Sequence, residues 1–415
     1  MKRAIAGIVL LLVVLAGCGG GNSNSNQPAT SGIKNRALVT NTFSGQLELY
    51  DADFDRPVTS FFLGAAPTFM ALTPGRESTL IFDSGSNAVQ VFSNGTETVG
   101  GSIQLPGATQ SIVAKDANTA YAAVPTAIFA GKPSLGVVAV LDLQKFTIPS
   151  SIAVPAARRI VLNGAGTQML VFSDNSNSVT VVDIASSTPT EVSGFDRPVL
   201  GFFASDDSKA FIVNCGAECG GTAAGVQVLT LGATPAAGAA LPLSAATTAV
   251  LINNTLFVAG TINGPLGQGV LNTVDISSGV PVAGSVRDVP ISDGLHTLMA
   301  PASNNKLFIG STNCTNDPNS ADPTGCLTIF DTSTNTAVID TARDPNLCRA
   351  GETCTVSKGF VTGMSPVPNR NIVYVIQGGE LRVFDTTNSE EIPNKIDVVG
   401  QATDVKLIDQ PAASR

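Results

Sequence analysis

The feature that most constrains this chain is a repeat: an apolar strand, a small polar turn and a second alternating strand recur from about residue 36 onward. ALVTNTFSGQLELYD, TLIFDSGSNAVQVFS, QMLVFSDNSNSVTVVD, KLFIGS with CLTIFD, and NIVYVIQGGELRVFD are clear copies. TAYAAV with VVAVLD, AFIVNC with VQVLTL, and TLFVAG with VLNTVD are looser ones. Their first strands open at Ala37, Thr79, Thr119, Gln168, Lys209, Thr255, Lys306 and Asn371, so neighbours stand 40 to 65 residues apart. Apolar residues alternate with a period of two rather than 3.6, which makes each unit a pair of strands. A β-unit of this length has the spacing of a propeller blade and not of a helical solenoid.

Two further strands complete each copy. One follows the Asp-containing turn, as in PVTSFFL, GSIQLP and TIPSSIAV; the other is a short apolar strand running into a turn, as in PTFMALTPG, RRIVLNGAG and HTLMAPASN. The chain opens at Ala37 out of phase with its end, because it finishes on one of these short strands, Thr403 to Asp409. If that last strand pairs with the first copy, no sheet edge is left open at the junction. The expectation is an all-β, closed β-propeller of eight four-stranded blades, or seven if one looser copy is not a blade. Charged residues are only 13% of the chain, and Gly, Ser, Thr, Asn and Val take their place, which suits short strands and turns. A net charge of −9 excludes sequence-independent nucleic-acid binding, which needs a basic face.

The units PTFMALTPGRESTLIFDSGSNAVQVF and QMLVFSDNSNSVTVVDIAS resemble the YVTN repeat of surface-layer-like β-propellers, and ALVTN at Ala37 to Asn41 is the nearest match to its name. The resemblance covers nearly all of the chain beyond residue 35. It implies that the short apolar strand is the innermost one, lining a central channel. Some YVTN-like propellers are grouped with lactonases, but no lactonase catalytic residue maps onto this sequence, and fold alone carries no function.

Residues 1–17 read as an export signal: Lys2 and Arg3 precede an apolar run, Ala4 to Leu15, that is too short to span a bilayer. Leu15-Ala16-Gly17-Cys18 resembles the lipobox of bacterial lipoproteins, which implies cleavage before Cys18, a lipid on that cysteine, and membrane attachment through it. Gly19 after the cysteine resembles the pattern sent to the outer membrane, so the expected location is the cell envelope, outer membrane or facing the periplasm. Residues 18–35 then form a Gly-, Ser- and Asn-rich linker, 36–410 the propeller and 411–415 a tail.

Six more cysteines fall into local pairs, Cys215 with Cys219, Cys314 with Cys326, and Cys348 with Cys354. In an exported chain these are expected to be disulfides. No CxxC spacing and no partner histidines support a metal or redox site, and no cofactor is expected. The loop between Cys314 and Cys326 offers Asp317 and Asp322 but lacks the order of a calcium loop. Trp is absent and only Tyr50, Tyr121 and Tyr374 are tyrosines, which argues against sugar or quinone stacking platforms.

The single histidine, His296, opens the inner strand HTLMAP. Comparable positions carry Arg158, Arg159, Arg197 and Lys358, with Asp404 on the closing strand. Basic groups gathered at one channel mouth of an acidic protein suggest a small anionic ligand held there. The expected role is a monomeric binding or scaffold module at the envelope, presenting its ring to a small anion, a glycan or a protein. The alternative is a lactonase-like hydrolase using His296 with nearby Arg and Asp side chains.

Overall fold

The computed structural model describes residues 30–129, 131–262, 267–314, 324–341, 354–356, 359–393, 396 and 398–409. They form eight blades in a ring, each built from four antiparallel strands in meander order. Numbered in chain order, blade 1 takes its innermost strand, Ala402–Leu407, from the C-terminal end, followed outward by Arg36–Asn41, Gln46–Asp51 and Arg56–Phe62. The other innermost strands are Pro67–Leu72, Ser111–Ala114, Ala157–Leu162, Pro198–Phe203, Thr248–Ile252, Leu295–Pro301 and Val361–Val367. The count is eight, not seven. Two additions depart from the plain repeat: a hairpin, Ala127–Phe129 with Lys132–Ser134, rises from blade 3, and Cys354–Val356 adds a fifth, parallel strand to blade 7.

The alternation seen in the sequence is what closes the ring, because each sheet has two apolar faces and both meet a neighbouring blade. Leu80, Phe82 and Val91 of blade 2 pack on Ile112, Ala120 and Ala122 of blade 3, and Tyr374 and Val383 of blade 8 pack on Val39, Tyr50 and Val405 of blade 1. Each fully buried Leu or Phe in these layers stabilises the fold by about 1.5–3 kcal/mol.

The turns are as regular as the strands. At the end of the third strand an Asp accepts backbone N–H groups of the turn that follows: Asp142 from Gln144 and Lys145, Asp183 from Ser186, Asp331 from Ser333 and Thr334, Asp385 from Thr387. The fourth turn residue then takes positive φ, as at Asp55, Glu97, Phe146, Ser187, Asn335 and Ser389. A second recurring acceptor sits at the last residue of the second strand. Asn41 accepts the N–H groups of Ser44 and Gln401, and Asp83 those of Ala66 and Gly85, tying each blade to the connection that leads into it.

At the closing seam Arg36 grips Asp409 with its backbone N–H, Nε and Nη2, and reaches Glu97 of blade 2 with Nη1 at 2.8 Å. Glu97 also accepts both the N–H and Oγ of Ser31, at 2.6 Å each. On the blade 8 side Arg370 and the Tyr374 hydroxyl converge on Asp55.

Candidate functional site

Because inner and second strands are antiparallel, the connections between second and third strands lie at the end of the ring where the inner strands begin. Among the described residues the longer ones gather there, along 125–136 in blade 3 and 215–224 in blade 5, and in blade 7 Cys314 ends the second strand at the same end. The disulfide Cys215–Cys219 staples the blade 5 connection, and Cys314–Cys326 joins the second and third strands of blade 7. The Cys348 with Cys354 pairing lies outside the described residues, as do Cys18 and Lys358. The opposite end carries the short Asp-capped turns.

The inner strands share one irregularity. In blades 1, 2, 4, 5, 7 and 8 the register slips by one residue just inside the mouth, and in blades 1, 4, 5, 7 and 8 the residue skipped is Thr403, Arg158, Val199, Thr297 and Thr362 respectively. Such a bulge re-aims the residue that follows it. Those residues, opposite the fifth residue of the second strand, are Asp404, Arg159, Leu200, Leu298 and Gly363.

Equivalent register does not mean equivalent chemistry. Asp404 is buried and fully engaged: Oδ2 accepts the N–H of Met70 in blade 2, and Oδ1 accepts the N–H of Val405 and the Nζ of Lys406 at 3.0 Å. Arg159 is partly exposed, and among the described residues its guanidinium meets no hydrogen-bond acceptor and no carboxylate. Burial first, and the charge of Arg158 second, lower its pKa from the usual value. A desolvated cation without a partner is costly, and perturbed groups of this kind cluster at functional sites.

The remaining candidates are not brought to the same place. Arg158 is exposed and pairs with Asp174, Nη1 to Oδ1 at 2.7 Å. Arg197, at positive φ just before its inner strand, lies along the 215–224 connection; Nη2 reaches the Gly220 carbonyl at 3.4 Å, while Nε and Nη1 are buried without partners. Its neighbour Asp196 does not pair with it in a salt bridge but holds the same connection by accepting the N–H groups of Thr222 and Ala223.

His296 does not face the mouth. It is 1% exposed, its Nε2–H donates to the Ser292 carbonyl at 2.8 Å, and Nδ1 is buried without a partner. Burial pushes its pKa down to about 4. The ring is therefore neutral and sealed, and the hydrolase alternative has no accessible base in it. Nearby, Asp293 Oδ1 lies 2.7 Å from Cys314 Sγ, but that sulfur is bonded to Cys326 and offers no thiolate to a metal.

One group was not singled out by sequence. Glu218, inside the Cys215–Cys219 staple, accepts the Thr261 N–H of blade 6 at 2.9 Å through Oε2, while Oε1 is buried without a partner. Burial raises its pKa to about 7. Nothing in its sequence neighbourhood marks it, because the contact is made across blades.

No protein-family model and no curated protein matches this sequence. Solved structures do. Dihydro-heme d1 dehydrogenase NirN in complex with DHE superposes with a TM-score of 0.63 at 13% identity, covering 92% of this chain and 76% of that one. A functionally unknown protein from Desulfotomaculum acetoxidans gives 0.51 at 16% identity, covering 72% and 93%. Hydrazine synthase of Kuenenia stuttgartiensis gives 0.50 at 17% identity, covering 68% and 77%. At such identities the likeness is one of fold, a β-propeller.

Proposed function

We propose that this chain is an exported, lipid-anchored binding module of the cell envelope, built on YVTN-type repeats, which takes a small anion at the mouth of its central channel through Arg159. The observation that carries the reading is the contrast at one register position: Asp404 is saturated by protein partners, whereas Arg159 has none among the described residues. A guanidinium held in a desolvated site on a rigid strand is prepaid recognition for a carboxylate or phosphate.

The anchor fits the same picture. Ser31, the nearest described residue but one to the lipobox, is fixed on Glu97 in a turn at the end of the ring away from the long connections. Only 12 residues separate it from Cys18, so a chain tethered there turns the plain end toward the membrane and the Arg159 mouth toward the surrounding solution.

Two experiments test the halves separately. Palmitate labelling should require Cys18, and Cys18→Ala should abolish it; labelling that survives the substitution sinks the anchor. Thermal shift against a panel of small anions should show stabilisation that Arg159→Gln removes; a variant that responds like the parent sinks the anion site.

A further inference from the structure

We infer that the occupant of the channel is an amphiphilic monoanion, with its carboxylate or sulfonate head on Arg159 and an aliphatic body along the wall beneath it. This rests on the anion reading above and names the ligand class.

A side chain on an innermost strand has the second strand behind it and neighbouring blades beside it, so any exposure it keeps is to the channel or its mouths. Two residues below the level of Arg159, the inner-strand residues opposite the third residue of each second strand form one tier around the ring. Ala71, Val113, Val161, Phe202 and Val250 occupy it in blades 2 to 6, and all five are partly exposed. Blade 7 contributes Ala300, blade 8 Ser365 and blade 1 Lys406, whose Nζ is committed to Asp404. In the tier above, Leu200 and Leu298 flank the same space and are also partly exposed. Thus six of the eight lower-tier positions are apolar, and five of them keep partial exposure while packing against the interblade layers. Ser111 and Thr248 join Asp404 as the polar residues of the upper tier, and Arg159 is the one cation of these two tiers with no partner among the described residues. Apolar walls with a single convergent polar group are how proteins hold a hydrophobic ligand in a fixed direction. One uncommitted positive charge matches one negative head, and nothing in these tiers would meet the several charges of a nucleotide or polyphosphate.

The test is calorimetric titration of the purified protein with straight-chain carboxylates from acetate to decanoate, alongside 1-alkanols of the same lengths. Affinity should rise about threefold to fourfold per added methylene, and Arg159→Gln should weaken every carboxylate tenfold or more at an unchanged melting temperature. Val161→Phe should flatten the length dependence and leave acetate unaffected; Ala71→Phe, on another blade, makes the same test should the first variant misfold. A flat length series in the parent overturns the ligand class and leaves the small-anion site standing. Alkanols binding as tightly as carboxylates overturn the anion site itself. A length dependence untouched by either Phe substitution places the binding elsewhere and overturns the inference.

Discussion

Blade 1 and blade 4 carry the same strand pattern and the same bulge, yet they treat the residue after that bulge in opposite ways. In blade 1, Asp404 binds the backbone of blade 2 and the ammonium of Lys406, and the position becomes part of the seam that joins the two ends of the chain. In blade 4, Arg159 has no protein partner among the described residues and keeps some exposure. The difference teaches where a repeat fold has freedom. The interblade layers repeat the same apolar burial at every blade, so a charge on the channel face goes either to closure or to a ligand, according to whether its own neighbours satisfy it.

The most severe way to break the comparison is to remove one of its members. Deleting residues 402–415 strips blade 1 of its innermost strand, uncovers the edge of Arg36–Asn41 and withdraws Asp409 from Arg36. The expected product is aggregated, with no cooperative melting transition by calorimetry. A truncated chain that melts like the parent would mean the ring does not depend on its seam.

Point substitutions sharpen the contrast. Asp404→Ala leaves the Met70 and Val405 N–H groups and the Lys406 ammonium without their acceptor, and should cost about 3–4 kcal/mol in urea denaturation. Arg159→Leu, by comparison, removes a desolvated charge that no described group compensates and should leave stability within about 1 kcal/mol. Similar losses for both would show that Arg159 has a structural partner after all and would remove the basis for a ligand.

The architecture was legible in the sequence because it is written in period and phase. Alternating residues mark each strand, and the mismatch between Ala37 at one end and Thr403 to Asp409 at the other predicts closure. The local cysteine pairs likewise announce Cys215–Cys219 and Cys314–Cys326, since a staple across a short connection needs no tertiary knowledge. The site was legible only in part. Arg158 and Arg159 are adjacent in sequence, and which of them pairs with Asp174 and which is left over depends on a one-residue slip in register. His296 lies in the strand expected, one residue in from its start at Leu295, but its depth is set by packing of blades 6 and 7, for which the sequence gives no measure. Glu218 was invisible because its partner, Thr261, is 43 residues away in another blade.

His296 extends the comparison to a third blade, as the residue just before the bulge in blade 7, opposite Ser311. Its folded pKa, about 4, lies below the ordinary value of 6.5. The unfolded chain therefore binds the extra proton first, and stability falls as pH drops from 6.5 toward 4. The loss should approach about 3 kcal/mol at the acid end. His296→Phe should flatten that part of the pH profile in urea titrations; an unchanged slope would assign the acid sensitivity to other groups.

Glu218 supplies the smallest effect and the opposite sign, and it tests the mouth rather than the seam. Its carboxyl, with a folded pKa of about 7 against an ordinary 4.5, is protonated in the folded protein at mildly acid pH. The stability this gives is complete below 4.5 and is lost as pH rises through 7. Since the group is partly exposed, solvent screening discounts the loss to about 1 kcal/mol. Glu218→Gln keeps an oxygen for the Thr261 N–H and cannot ionise, so it should match the parent at pH 5 and exceed it by about 1 kcal/mol at pH 8. Hydrogen exchange at Thr261 should follow the same rule, faster in the parent than in the variant at pH 8 and equal at pH 5 after correction for intrinsic rates. Equal protection at both pH values would show that the stapled connection of blade 5 holds to blade 6 without this carboxyl, and that the mouth is as indifferent to pH as the apolar layers behind it.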